Sequence, residues 1–242
     1  MEDLMSDAGQ PPGAARQPLS RGVIVEEAIA VIDEQGLTAL TMRSLGARLG
    51  VEAMALYRYV NGREDLLEGV VDDLVDRIRL QPHDVTGALD GWQAVLQRLA
   101  HSVRTIAVEH PKVFPLVATR HPSAPWLRPP LRSLRLVEEF LGALTSRGFT
   151  DRQAVGAYRI FTSFLLGHLL LDAAEHGATT GPVEEPLDEG DAAVPAPSPR
   201  VDVSDYPTLL RTADLLAEDH TEAEFEAALE ALLDRLDLLL SQ

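Results

Sequence analysis

The chain has no cysteine among its 242 residues, which removes disulfides, thiolate metal sites and a cysteine nucleophile together. Lysine is nearly as scarce. Lys112 is the only one, so a phosphate-cradling loop closed by a lysine elsewhere is excluded. Neither an HExxH nor a Gly-x-Ser-x-Gly pattern occurs, and His101, His110, His121, His168 and His176 are scattered rather than clustered. His168, alone on an apolar helix, reads as a core residue, and the pairs Glu138-Glu139 and Glu184-Glu185 read as surface. An enzyme is not expected, and no metal site or cofactor is. No apolar run approaches the roughly 20 residues of a membrane span, and the N-terminus lacks a basic stretch followed by an apolar one. The expectation is a cytoplasmic protein with no membrane partner. With 45% hydrophobic residues, the chain can bury one large core or two modest ones.

What is present is concentrated in residues 41–60. Thr41 can cap a short helix by accepting an orphan N–H of its first turn. Met42, Leu45 and Leu49 share one face of that helix. Gly50 suits the left-handed residue that ends a helix, and Val51 fills the turn. Glu52 then flanks a second helix, where its charge suits the dipole. Leu56 and Val60 point inward from this second helix, leaving Ala53, Met54, Ala55, Tyr57, Arg58 and Tyr59 outside. That is a helix-turn-helix pattern whose second helix is placed to enter a major groove. Charge agrees with it. Residues 36–63 hold four arginines (Arg43, Arg48, Arg58, Arg63) and one acid, Glu52, in a chain of net charge −17. A small basic island on an acidic protein fits one phosphate-facing surface, although four arginines on short helices can also be a solvated face.

The side chains assign themselves to roles. Arg43 and Arg58 are candidates for guanine, since arginine reaches both acceptors on its major-groove edge. Ala53, Met54 and Ala55 can touch thymine methyls. Tyr57, Tyr59 and Arg63 are expected on phosphates, which position without specifying, and Thr41 can join them. The partner is double-stranded DNA.

Around this motif the chain divides into a disordered extension (1–19), a three-helix DNA-binding domain (20–66) and a larger helical body (67–242). Ser20 opens the first helix, whose apolar stripe (Val23 or Ile24, Ala28, Val31, Ile32) ends at Gly36, and Leu37 and Leu40 plug the join. A helix follows Asn61-Gly62 to about Leu80, ahead of Pro82. Residues 88–109 form an amphipathic helix, 131–147 another, and 151–176 the most apolar helix of the chain. A helix apolar nearly all round is buried on several sides, which implies a partner surface besides its own core. Residues 177–205 read as a mobile acidic loop, and 221–240 as a final amphipathic helix bearing Phe225, Leu229, Leu232 and Leu236. The fold class is all-α.

Within the body, Trp92, Leu96, Leu99, Val103, Phe114, Trp126, Leu134, Val137, Tyr158, Phe161 and Phe164 sit on helices that must converge. Prolines break residues 111–130 into short pieces, so that stretch is read as the wall of a cavity, with His110, His121 and Gln97 as its polar groups. An apolar cleft with few polar groups suits a small organic effector.

At Thr41, Gly50-Val51, Leu56-Tyr57 and Arg63, followed by Glu64-Asp65-Leu66-Leu67, the chain resembles the TetR family of transcriptional regulators. Gly50-Val51-Glu52 and Leu56-Tyr57 are similar to its tetracycline-repressor branch. Gly148-Phe149, Phe164-Leu165-Leu166-Gly167 and the leucine ladder after Phe225 extend the likeness into the body. The resemblance implies a homodimer closed by a four-helix interface of 151–176 and 221–240, a palindromic operator with half-sites roughly 34–36 Å apart or a multiple, and repression relieved by a small ligand. It implies that the helix after Gly62 carries the signal as a pendulum. The branch's drug–magnesium site needs an acid at the position held here by Leu171, with Asp172 facing elsewhere, which weighs against a magnesium–tetracycline ligand. A transcriptional activator, or a helical protein-docking scaffold using the same motif, stays open at this point.

Overall fold

The computed structural model describes residues 18–78, 91–120, 127–129, 133–180 and 204–240, and the described residues contain helices and no strand. The expected extension is described only at 18–19, and most of the 177–205 loop, Pro82, His121 and Trp126 lie outside the described residues.

The first three helices form a small head. Ser20 accepts a hydrogen bond from Val23 N and starts α1 (Arg21–Gln35), which Gly36 ends at φ 86°. A single 3-10 turn (Leu37–Ala39) leads to α2 (Met42–Leu49). There Thr41 Oγ1 accepts from Ser44 N while Ser44 Oγ accepts from Thr41 N, so two orphan donors are satisfied reciprocally. Gly50, at φ 68° and ψ 35°, is the left-handed terminator. The helix after it, α3 (Ala53–Leu56), is one turn long, shorter than the residues 53–60 that the sequence suggests. Arg58 N, Tyr59 N and Val60 N continue it by bonding to the carbonyls of Ala55 and Leu56. Its closeness to α2 rests on Gly46, where a Cβ would sit 2.9 Å from Val51 O.

The long α4 (Arg63–Arg77) joins head to body. It stops at Arg77, a few residues before the expected end, and the boundary expected at 66–67 falls inside it. Arg21 on α1 makes a two-pronged ion pair with Asp65 on α4 and also donates to Tyr59 O. Gly69 lets α1 approach, since a Cβ there would meet Val25 Cγ2 at 3.0 Å. Leu66, Leu67, Val70, Val71 and Leu74 are buried along it, so α4 belongs to both cores.

The body comprises α5 (Trp92–Glu109), α6 (Phe114–Thr119), α7 (Leu134–Thr145), α8 (Asp151–Glu175), α9 (Pro207–Leu216) and α10 (Thr221–Leu240). Thr150 and Gln153 cap α8 reciprocally, as Thr41 and Ser44 cap α2. At the centre, α8 packs against α5, α6, α7 and α10. An 18-residue window of α8 reaches a mean hydropathy of 1.4, long and apolar enough to cross a membrane by composition alone. This corrects the expectation that no run comes close. Its inward face (Ala154, Ala157, Tyr158, Phe161, Leu165, Leu169) is nevertheless consumed by the body's own core. Between the loop and α10 the sequence reading had no helix, yet α9 is there with none of its residues buried. Leu229 is interior to the chain at 1% exposure rather than on an outer face, and Leu232 is half-buried.

Candidate functional site

The head presents one outward face. Met54, Tyr57, Arg58 and Tyr59 are exposed on and just after α3, and Met54 is 75% exposed. Ala53 and Ala55 are half-buried beside them, and Arg43 is exposed on α2. Among the described residues neither Arg43 nor Arg58 has an ion-pair partner, which leaves their donors available to an incoming acceptor. Thr41 is exposed but engaged in its cap. Arg63 is placed differently from the phosphate contact expected of it. Its Nε donates to Leu40 O at 3.2 Å and Nη2 to Leu37 O at 3.3 Å, so much of its fork stitches the head together. Arg48 is likewise engaged, by Glu27 and Glu34 of α1. The basic island is therefore narrower than a count along the sequence implies, because α1 brings its acids onto it. Asp65 supports the same face from behind. The hydrogen bonds from Arg21, and then from Asn61 N, hold its carboxyl down to about 2.

The body encloses an apolar cavity of about 30 Å³, lined by Leu99, Val103, Tyr158 and Phe161 among the expected residues and by Val75, Ile78, Val117, Leu136, Phe140, Thr162, Leu165 and Leu166 besides. Trp92 and Leu96 are buried elsewhere, the Trp92 ring edge-on to Phe149 at 5.2 Å. Phe164 stacks on Phe225 at 6.0 Å between α8 and α10. Phe114 is core. Gln97 is exposed, so it lines nothing. His110 reaches out of the body, its Nδ1 2.6 Å from Asp33 Oδ2 on α1. Two neighbours join this seam between head and body: Lys112 Nζ donates to Glu34 O, and Arg120 Nη2 to Glu64 Oε2 at 2.8 Å. At the end of α8, Leu171 is 71% exposed while Asp172 is buried and paired with His176 at 3.2 Å.

Comparison with known proteins settles the family. Residues 24–70 match the model for bacterial regulatory proteins of the tetR family, and residues 86–239 match the tetracyclin repressor-like C-terminal domain. The chain belongs to the TetR family. Members of it are DNA-binding transcription regulators, not enzymes. An HTH-type transcriptional repressor, DrrR1 of Streptomyces coeruleorubidus, is 31% identical over 68% of this chain, which spans 58% of that relative's length. The class D tetracycline repressor of Escherichia coli is 26% identical over 92% of this chain and 91% of its own. A possible TetR family transcriptional regulator from Streptomyces coelicolor A3(2) superposes with a TM-score of 0.68 at 30% identity, covering 91% of this chain and 100% of that one.

In this TetR-family chain, the cavity residues that the sequence did not single out include those on α7 and at the end of α4. On α7 the sequence reading named Leu134 and Val137, but Leu134 is 52% exposed, and Leu136 and Phe140 face the cavity instead. The i, i+4 spacing of Leu136 and Phe140 carried that signal. Val75 and Ile78 lie at the end of α4, and nothing local shows that this end reaches the body's centre.

Proposed function

We propose that the chain is a homodimeric repressor that sits on a palindromic operator in the bacterial cytoplasm and leaves it when a hydrophobic effector occupies the body. The head spans about residues 20–66 and the effector and dimer domain residues 67–242. The observation that carries the reading is the joining of two sites by one helix. α4 is buried against α1 at its start and ends with Val75 and Ile78 in the wall of the apolar cavity. Arg43 and Arg58 read bases, Met54 and its flanking alanines meet thymine methyls, and the two tyrosines hold the backbone.

Dimerisation is supported by what α8 and α10 leave uncovered. Gly156, Ile160, Ser163, Gly167 and Leu171 recur at three- and four-residue spacing on the outer side of α8, and a Cβ at either glycine would meet nothing within 4 Å. Ala223, Ala227, Ala231 and Leu238 form an exposed stripe on α10. Small residues let two such faces approach closely, and burying Ile160 and Leu171 would remove apolar surface from water at about 25 cal/mol per Å². The experiment is selection of bound sequences from a random duplex pool, then titration of the winner against salt. Enrichment of an inverted repeat with affinity falling steeply in salt is the expected result. Binding without sequence preference overturns the reading.

A further inference from the structure

The cavity is not the only space beside Tyr158. On the outer side of the same residue, between α7 and α8, lies an open cleft of about 430 Å³ walled by Leu127, Leu134, Val137, Leu141 and Val155. Tyr158 lines both spaces. Its ring packs edge-on to Phe140 at 5.6 Å, and its hydroxyl donates to Pro129 O at 2.8 Å. Burial pushes that hydroxyl up to about 12, so it remains a donor throughout the physiological range. The inner cavity of about 30 Å³ holds no more than a water or two, whereas the outer cleft is large enough for a small organic molecule. Tyr158 is the residue common to both linings.

The rim of the cleft has a sign. Arg128 and Arg159 line it against a single acid, Glu138. Both arginines are exposed and neither has an ion-pair partner among the described residues. These two arginines, without an ion pair among the described residues, sit above apolar walls on a chain of net charge −17. A ligand complementary to this surface has a flat hydrophobic body and one anionic group. We propose that the effector is such an amphipathic anion, that it enters between α7 and α8, and that Tyr158 is the door it must turn aside. Swinging the ring away gives up the hydroxyl's bonds to Pro129 O and Thr162 and merges cleft and cavity into a single site. In that site the anion stays at the Arg128–Arg159 rim while the apolar body reaches Phe140 and Phe161. The collapsed inner cavity is then the closed form, and the effector binds the open one more tightly, which is the condition for shifting an equilibrium. The inference rests on the effector-released reading above and adds the ligand's charge and its route.

Two dyes separate the outcomes: 8-anilino-1-naphthalenesulfonate, which is anionic, and N-phenyl-1-naphthylamine, which has the same aromatic body without the sulfonate. Both are titrated into the full-length protein by fluorescence. Replacing both arginines, Arg128→Gln with Arg159→Gln, should weaken the sulfonate about tenfold, as two exposed ion pairs together allow, and leave the neutral dye unchanged. Tyr158→Phe keeps the ring and removes the hydroxyl, so stopped-flow association of both dyes should rise several-fold. Equal weakening of the two dyes by the arginine pair, or unchanged association in Tyr158→Phe, overturns the proposal. So does dye binding that weakens as the protein is concentrated, since a second chain would then be covering the cleft. Operator release is read separately. If neutral compounds release DNA from the arginine-free variant as well as from the parent, the repressor reading survives and this inference fails.

Discussion

The head and the body share an apolar core but differ in how much polar detail fixes their short helices. In the head, short helices are fixed by polar detail: a reciprocal cap at Thr41–Ser44, Arg63 on two carbonyls, Arg21 clamped to Asp65, and Gly46 allowing a contact that no side chain would permit. In the body, long helices pack aromatic and aliphatic side chains around α8, with polar links such as the Thr150–Gln153 cap and Arg135 Nη2 to Ile78 O at helix ends. The physical reason is task. A surface that reads base edges must hold its side chains within a fraction of an ångström, and directional bonds do that. A surface that admits a molecule must give, and non-directional packing gives more readily. The body is also unfinished, since α9 buries nothing and α8 keeps an uncovered apolar stripe.

If the body is completed by a second copy, a charge on that stripe should have the largest effect of all. Leu171→Glu is expected to yield a folded monomer by sedimentation, with operator affinity lowered roughly 100-fold or more through loss of the second half-site. A dimer that persists in this variant breaks the contrast at its root. Next in size, Gly46→Val should destabilise the head by about 1–3 kcal/mol, because its side chain meets the Val51 carbonyl. A melt that resolves head from body should show the head alone shifting. Arg58→Ala should cost about 1–3 kcal/mol of operator binding and relax one position of the site; equal loss on every sequence would make Arg58 a phosphate contact. The smallest effect is at Asp65. Its carboxyl sits near 2, below the ordinary range, so its contribution is complete above that range and disappears as pH falls from about 4 through 2. Asp65→Asn should cost about 1 kcal/mol at neutral pH, discounted for the exposure of the pair, and should remove that acid-dependent part of the head's stability.

The same contrast explains what could be read in advance. Ser20, Thr41, Gly36, Gly50 and Gly148 mark helix ends through bonds to residues within five positions, so their signals are local and were legible. The apolar periodicities of α4, α5, α8 and α10 were legible for the same reason. Arg48 with Glu27 and Glu34, and His110 with Asp33 across 77 residues, depend on how helices stack, and no pattern along the chain announces them. On α7 Leu134 was taken for the inward residue, although the i, i+4 pair Leu136 and Phe140 marked the face that lines the cavity beside the buried Val137. α9 was missed although Pro207 at its start and Leu209, Ala213 and Leu216 at helical spacing mark it.

One small helix, α6, merits a mechanical description. Val117 within it touches the cavity. Its leading flank is tied to α1 through His110 and Lys112, and its trailing flank to α4 through Arg120. A rod pinned at both ends to two different members of a frame cannot slide lengthwise without turning that frame. A displacement of α6 would therefore strain its links to α1 and α4 together.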